Sequence, residues 1–177
     1  MSRLSSKRFL LFLAALSWAQ LRCDAPALAQ SECVDSAAAG GVIGAYFRII
    51  SGPPGDRDWA GFNSLLLETA RFDAVGINEK GENQFFPQSR DQYIRHVSEY
   101  VKGQGFFQKE VRRVTTCYAR IAHVLSTYES RNEAGGKTID RGLLSFQMIH
   151  EGGRWKIAHV VWNSETKRYP LPAEFLR

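Results

Sequence analysis

The stretch EGGRWKIAHVVWNSE, residues 151–165, contains a tight turn followed by a long strand. Gly152 and Gly153 occupy positions at which a short hairpin turn favours glycine. The residues after them are rich in Trp, Ile and Val, which are typical of strands. The preceding run IDRGLLSFQMIH (139–150) has the same character. Residues 139–165 are therefore predicted to form an antiparallel hairpin.

Two further runs extend this pattern toward the N-terminus. FQKEVRRVTTCY (107–118) and RIAHVLSTYESR (120–131) are rich in Val, Ile, Thr and Tyr, and NEAGGK (132–137) provides another glycine-containing turn. From about residue 106 the period of the pattern is two, which is that of strands. We expect four long strands in succession.

The first helix is predicted after Asp35, a suitable N-cap. Apolar residues then recur at the spacing of one helical face up to Ile50. Gly40 and Gly41 weaken the first half of this helix. The prolines and glycines of SGPPGD (51–56) end it.

Two more helices precede the long strands. Asp58 caps a short second helix, and Ser89 forms with Gln92 a capping box that begins a third, ending near Gly103. Between them, ARFDAVG (70–76) is predicted as a short strand followed by a polar loop. Helices first and a meander of strands after predict an α+β domain, with the helices on one face of a curved antiparallel sheet.

The first 29 residues are predicted to be a signal peptide. Basic residues precede FLLFLAALSWA (9–19), an apolar run too short to span a bilayer. ALA (27–29) matches the small-x-small pattern of a cleavage site, so we expect cleavage after Ala29. The domain of residues 30–177 would then be exported, to a periplasmic or extracellular location. An N-terminal membrane anchor is the alternative.

Removal of this segment changes the charge of the protein. The full chain has 23 basic and 18 acidic residues, whereas residues 30–177 keep 19 and 17. A nearly neutral domain does not indicate nucleic-acid binding. No second long apolar run follows, so no membrane association is expected once the signal has been removed.

The cysteines also depend on export. Cys23 leaves with the signal segment, and Arg22 before it argues against lipid attachment. Cys33 and Cys117 remain. In an exported protein two cysteines are a natural disulfide pair. Unpaired thiols are the alternative.

The glycine turn and the strand that begins with tryptophan, in residues 151–165, resemble the last hairpin of the nuclear transport factor 2-like superfamily. The order of three helices, a short strand and long strands matches over residues 35–165. The resemblance implies a cone-shaped α+β barrel, with the three helices in the concave face of a curved, mostly antiparallel sheet. It also implies a pocket at the open end and often a homodimer across the outer sheet face. The superfamily includes ketosteroid isomerases, SnoaL-like cyclases, dehydratases and binding modules, so the fold alone names no reaction.

The resemblance to ketosteroid isomerases implies roles for particular residues. Tyr46 matches their tyrosine on the first helix, Asp73 in FDAVG (72–76) matches their general base, and Trp162 matches a pocket-lining tryptophan. Their second, protonated aspartate is replaced by Ser145, a weaker hydrogen-bond donor. Steroid isomerisation is therefore not expected. Asp73 is a candidate catalytic base for another reaction, or an aspartate that caps a turn or lies at the pocket rim.

Strand alternation, combined with this resemblance, predicts the other pocket residues. Ser145 and Gln147 share one face, and the inward row of the preceding strand is predicted to be His123, Leu125, Thr127 and Glu129. The outward row is predicted to be Ala122, Val124, Ser126 and Tyr128; a bulge would reverse this assignment. The predicted ligand-binding set is Tyr46, His123, Thr127, Glu129, Ser145, Gln147 and Trp162. Alternatively, these polar groups satisfy one another or line a wet cone mouth.

Other chemistries have little support in the sequence. The four histidines show no short ligand spacing, so no metal site is expected. G-x-S-x-G and a glycine-rich phosphate loop are absent, and no cofactor is expected. Three hypotheses remain: an exported module that binds a small apolar or aromatic molecule, an isomerase or dehydratase that uses Asp73, and a structural dimer of the cell envelope.

Overall fold

The computed structural model describes residues 33–77 and 80–176, and the predicted signal peptide lies outside these ranges. The helices are α1 (Ser36–Ile50), α2 (Trp59–Ser64) and α3 (Arg90–Gly103). The strands are β1 (Leu66–Ile77), β2 (Asn83–Ser89), β3 (Phe107–Tyr118), β4 (Ile121–Arg131), β5 (Asp140–Glu151) and β6 (Arg154–Ser164). The last element is a 3₁₀ turn, Ala173–Phe175.

The strands form one sheet in the order β2-β1-β6-β5-β4-β3. The β1–β6 pair is parallel and the other strand pairs are antiparallel. Helix α1 contacts β3 and β6, while α3 contacts β1 and β2. The predicted α+β class is confirmed, with three helices against the concave face of a mostly antiparallel sheet.

One predicted loop is a strand. Residues 83–89 form β2, which pairs antiparallel with β1. Nearly every residue of β2 is exposed and Pro87 lies within it, so no apolar alternation marks the sequence as a strand. An edge strand tolerates this composition because one side of its backbone faces solvent. β1 is also longer than the predicted short strand.

Aromatic packing joins the helices to the inner face of the sheet, which we define as the face toward α1, α2 and α3. Phe72 of β1 stacks on Tyr93 of α3 with ring centroids 4.2 Å apart. Tyr93 also stacks on Phe62 of α2, at 5.8 Å. Tyr46 of α1 lies edge-on to Phe146 of β5, at 5.1 Å. All five rings are buried, so they hold the helices to the sheet.

The inner rows of β4 and β5 are the opposite of the predicted ones. The buried residues of β4 include Ala122, Val124, Ser126 and Tyr128, and those of β5 include Leu144, Phe146 and Met148. The outer rows therefore contain His123, Leu125, Thr127 and Glu129, together with Ser145 and Gln147. The large apolar side chains face the helices because their burial stabilises the fold most.

A bulge in β6 explains why the prediction was reversed. Gln147 pairs with His159 but Met148 pairs with Ile157, so Ala158 is an extra residue on β6. Ile157 and Val160 are both fully buried although they are three residues apart. An alternation that is counted back through this point changes face.

A disulfide fixes the chain before α1. Cys33 and Cys117 are bonded, as predicted, with Cα atoms 5.5 Å apart. The Val34 N–H donates to the Ala119 carbonyl at 3.1 Å, and Trp155 Nε1 donates to the Val34 carbonyl at 2.7 Å. Loss of a disulfide of this kind costs about 2–5 kcal/mol in small secreted domains.

Helix α1 has glycine where it meets a charged side chain. Arg113 of β3 donates to the Gly40 carbonyl at 3.0 Å and is held by two hydrogen bonds to Glu110. Glu110 also accepts from Ser126 Oγ at 2.7 Å. A Cβ atom at position 40 would lie 2.6 Å from Arg113 Nη1. A side chain at position 40 would therefore displace the Arg113 guanidinium from this contact.

The C-terminal segment lies against the outer face of the sheet. Thr127 Oγ1 donates to the Phe175 carbonyl at 2.6 Å. The Leu171 N–H donates to Glu165 Oε1 at 2.8 Å, and Arg141 holds Glu165 through Oε2. Within residues 33–77 and 80–176, no helix has the length and apolar character needed to cross a membrane.

Candidate functional site

A cavity of ≈ 400 Å³ lies between the inner face of the sheet and helices α1 and α3. Its volume is in the range of small-molecule sites. Most of its wall is apolar, and six aromatic rings line it: Tyr46, Tyr93, Tyr100, Phe106, Tyr128 and Trp162.

The edge of this cavity is apolar and exposed. Tyr100 and Ile139 both line it and both are exposed to solvent. The Tyr100 ring lies edge-on to Phe106, with centroids 5.8 Å apart, and Trp162 lies edge-on to Tyr93 at 6.1 Å. Exposed apolar side chains around a concave site are typical of a ligand-binding mouth.

Two buried phenols form a donor pair in the wall. The hydroxyl oxygens of Tyr46 and Tyr93 are 3.0 Å apart. Burial raises the pKa of Tyr46 well above its ordinary value. Burial also raises the pKa of Tyr93 to about 12, although its hydrogen bond with Tyr46 acts in the other direction. Both phenols stay protonated at neutral pH, and because one proton joins them, the other is available to a ligand or water.

A carboxylate lies at the sheet side of the cavity. Asp140 Oδ2 accepts hydrogen bonds from Tyr128 Oη at 2.8 Å and from Ser164 Oγ at 3.1 Å. Burial is the main cause that raises the pKa of Tyr128, and the charge of Asp140 raises it further. Gly142 makes room for this cluster, because a Cβ atom there would lie 2.8 Å from Tyr128 Oη and would clash with the Asn163 carbonyl.

A polar row crosses β3, β4 and β5 next to this carboxylate. Ser130 is the register partner of both Gln108 and Asp140. Gln108 Nε2 donates to Ser130 Oγ at 3.2 Å, while Gln108 Oε1 is buried and has no partner among the described residues. Elsewhere in the wall, His96 Nδ1 and Gln88 Oε1 lie within hydrogen-bonding distance, at 2.6 Å.

Neither a family model nor a curated protein matches this sequence. Solved structures do match it. A protein of unknown function with a cystatin-like fold from Nostoc punctiforme is 6% identical, with a TM-score of 0.60 over 78% of this chain and 96% of that chain. A nuclear transport factor 2-like protein of unknown function from Pseudomonas putida is 13% identical, with a TM-score of 0.54 over 82% and 95%.

A third match is a protein proposed to be the β subunit of an aromatic-ring-hydroxylating dioxygenase from Novosphingobium aromaticivorans. It is 14% identical, with a TM-score of 0.57 over 76% of this chain and 95% of that chain. The chain has the nuclear transport factor 2-like fold. At these identities the likeness establishes the fold and says nothing of an activity.

Two of the predicted ligand-binding residues lie at the cavity of this nuclear transport factor 2-like fold. Tyr46 of α1 and Trp162 of β6 both line it. Tyr46 projects from the helix face that packs on the sheet, and Trp162 belongs to the inner row of β6 beyond the bulge. The structure thus brings together two residues that are 116 positions apart in the sequence.

The other five predicted ligand-binding residues lie on the outer face, so their predicted place inside the cone is wrong. His123 Nε2 lies 2.8 Å from Ser145 Oγ, and Glu129 pairs with Arg131 at 2.7 Å. Thr127 is covered by the C-terminal segment. Gln147 and His123 line a second cavity, of ≈ 560 Å³, beside the outer-row residues Ile121 and Ile149.

Asp73 also points away from the cavity, because its neighbour Phe72 points toward the helices. The residue is 4% exposed, and its carboxylate accepts from the Gln88 N–H at 3.1 Å and contacts His159 Nε2 at 2.9 Å and Arg71 Nη2 at 3.4 Å. Burial acts to raise the pKa of Asp73, but these partners together lower it below its ordinary value. The position suits an anchor between β1, β2 and β6, and it does not suit a base inside the cavity.

The sequence does not single out Asp140, Gln108 or Tyr93 as site residues. Asp140 follows a glycine-rich turn, where an acidic residue is ordinarily exposed, and Gln108 lies among charged residues of β3. One feature of the sequence could have located the polar row. Because side chains alternate along β4, Ser130 lies on the same row as Tyr128, and its hydroxyl is therefore near the end of the inner row. In the described ranges, no three His, Cys, Asp or Glu side chains lie close enough to hold a metal ion.

Replacement of Asp73 by Asn should lower the free energy of unfolding at neutral pH by about 1–3 kcal/mol, because the amide nitrogen would face hydrogen-bond donors. The folded-state pKa of Asp73 is lowered. Its stabilisation is therefore complete above its unfolded pKa of about 3.9 and is lost as the pH falls through the lower folded value. The difference in the free energy of unfolding between wild type and Asp73→Asn should therefore become smaller at acidic pH.

Urea unfolding at neutral pH and at about pH 3 would measure this difference. Asp56→Asn, at an exposed position in the turn after α1, is the matched control and should have little effect at either pH. A difference for Asp73→Asn that stays constant across this range would contradict the ionic role.

Proposed function

We propose that the protein is an exported module that binds a small apolar or aromatic molecule in the cavity between α1, α3 and the sheet. The observation that carries this proposal is a cavity of ≈ 400 Å³ with six aromatic rings in its wall. Close-packed interiors leave few voids larger than a water molecule, so a space of this size suits a ligand. The aromatic rings would provide affinity, and the hydroxyls of Tyr46 and Tyr93 and the amide of Gln108 would orient the ligand.

Binding has more support than the isomerase or dehydratase alternative. A general base must come within hydrogen-bonding reach of the proton that it removes. Asp73, which that alternative requires, lies on the face opposite the cavity. The buried tyrosines have raised pKa values, so at neutral pH they are donors and cannot act as bases.

Binding can be tested with the neutral fluorescent probe N-phenyl-1-naphthylamine. We expect its fluorescence to rise as it binds the wild-type protein at one site per chain. Val97→Phe would push a larger side chain from α3 into the cavity and weaken binding at least about tenfold, equivalent to about 1.4 kcal/mol.

The control is Val114→Phe, the same substitution on the exposed outer row of β3. It should leave the affinity unchanged. Absence of probe binding to the wild type, or equal weakening in both variants, would contradict the proposal.

Export is proposed from the first 29 residues and is supported by the Cys33–Cys117 disulfide, since such bonds persist in oxidising compartments. When a bacterium produces the full chain, we expect the periplasmic protein to begin at Gln30 and to lack the two thiol hydrogens. Mass spectrometry without reductant measures both. Ala29→Arg should block cleavage. Recovery of the intact chain, starting at Met1, in the cytoplasm would argue against export.

A homodimer through the outer face is a second proposal, carried by exposed apolar side chains. Tyr118 and Ile121 are 65% and 58% exposed, and Ile149 on the same face is also exposed. These three residues all line the outer-face cavity. Contiguous exposed apolar surface of this kind marks interaction sites.

Ile121→Glu should convert the dimer into a monomer, because a charge would be buried without a partner in the interface. Light scattering coupled to size-exclusion chromatography measures the mass in solution. Phe86→Glu, at an exposed apolar residue of β2 whose partner Ala74 lies on the inner row, is the control and should leave the mass unchanged. A wild-type protein that is already monomeric would overturn the proposal.

A further inference from the structure

The carboxylate of Asp140 lines the cavity, and no described residue gives it a positive partner. Its two hydrogen bonds, from Tyr128 and Ser164, both reach Oδ2. Oδ1 accepts no hydrogen bond from residues in the described ranges. Asp140 also forms no ion pair with any lysine, arginine or histidine there. A half-buried carboxylate with neutral donors on one oxygen leaves the other oxygen able to bind a cation.

Two neighbouring arginines are held by other carboxylates. Arg141, next in sequence, pairs with Glu165 at 2.7 Å. Arg131, beside the register partner of Asp140, pairs with Glu129 at 2.7 Å. Lys137, on the turn before β5, is exposed, and no ion pair joins it to Asp140. Among residues 33–77 and 80–176, no cation therefore neutralises the negative charge at the cavity wall.

The rest of the wall also favours a positive charge. Six aromatic residues line the cavity, and the electron-rich face of an aromatic ring attracts cations, most strongly where water is excluded. Gln108 Oε1 is a buried acceptor without a partner among the described residues. The preference for a cation rests on Asp140 and the aromatic lining, which do not depend on the orientation of the Gln108 amide.

We infer that the ligand of this cavity is an organic amine, with an ammonium group that binds Asp140 and an aromatic or apolar body that lies against the rings. This inference rests on the proposed function and adds the chemical class of the ligand. Anionic ligands are disfavoured because Asp140 would repel them. A neutral aromatic ligand would use the rings and leave the carboxylate unpaired.

Three ligands with the same ring and different charge test this inference: 1-naphthylmethylamine, 1-naphthylmethanol and the 1-naphthylacetate anion. Each competes with bound N-phenyl-1-naphthylamine at neutral pH. For the wild type we expect the amine to bind at least about tenfold more tightly than the alcohol, and the anion to bind most weakly.

Asp140→Asn keeps an oxygen that can accept from Tyr128 and Ser164 but removes the charge. It should reduce the affinity for the amine about tenfold, leave that for the alcohol nearly unchanged, and improve that for the anion. Tyr100→Leu tests the ring faces independently of the carboxylate cluster, since Tyr100 lies at the exposed edge of the cavity and its removal should not prevent folding. It should weaken the amine several-fold more than the alcohol.

The outcomes separate this inference from the proposed function. Equal affinity for amine and alcohol, tightest binding of the anion, or failure of all three ligands to displace a bound probe would each overturn the amine inference and leave the binding function in place. If the neutral probe itself does not bind the wild type, the binding function fails and the inference fails with it. An amine preference that survives in Asp140→Asn would show that the carboxylate is not its cause.

Discussion

A single sheet presents two alternating rows of side chains on every strand, and here one row must cover three helices. Phe72 and Phe146 provide large rings of that inner row, and they pack against aromatic residues of α1, α2 and α3. The bulge at Ala158 allows Ile157 and Val160 to face inward on the same strand. The choice of the row that faces the helices determines which polar side chains line the cavity and which lie on the outer face.

The cavity lies where the inner rows of β4 and β5 change from large apolar side chains to small and polar ones. Toward one end of the sheet, Val124 and Phe146 fill the space under the helices. Toward the other end the row continues with Ser130 and Asp140, and Gly142 leaves room for the Tyr128 hydroxyl. Small and polar side chains do not fill the space that large rings would occupy, so a void remains. Its wall combines aromatic side chains with the carboxylate of Asp140, so the site is apolar over most of its surface and negatively charged at one point.

Local signals in the sequence predicted the elements well. Asp35, Asp58 and the Ser89–Gln92 box cap helices as expected, since a cap requires only residues within three positions of each other. The long strands from residue 107 onward were predicted from their period. β2 was missed, because an exposed edge strand needs no buried face and therefore shows no alternation. The placement of Ser145 failed for a different reason: it was counted back from the last strand, and the bulge in β6 reverses that phase. Asp73 was placed by resemblance alone, and the structure has it on the outer face of β1.

The sequence by itself determined the three helices and their caps, the four long strands from residue 107 onward and the α+β class. Each of these depends on neighbouring residues or on a regular period. The Cys33–Cys117 disulfide was one of two alternatives, and the structure decided it. Only the tertiary structure decided that Asp140, Gln108, Tyr93 and Tyr128 share a cavity wall with Tyr46 and Trp162, and that Asp73 is outside it. Which face of a strand is buried depends on the helices packed against it and on one inserted residue in a neighbouring strand, and neither is local to the side chains concerned.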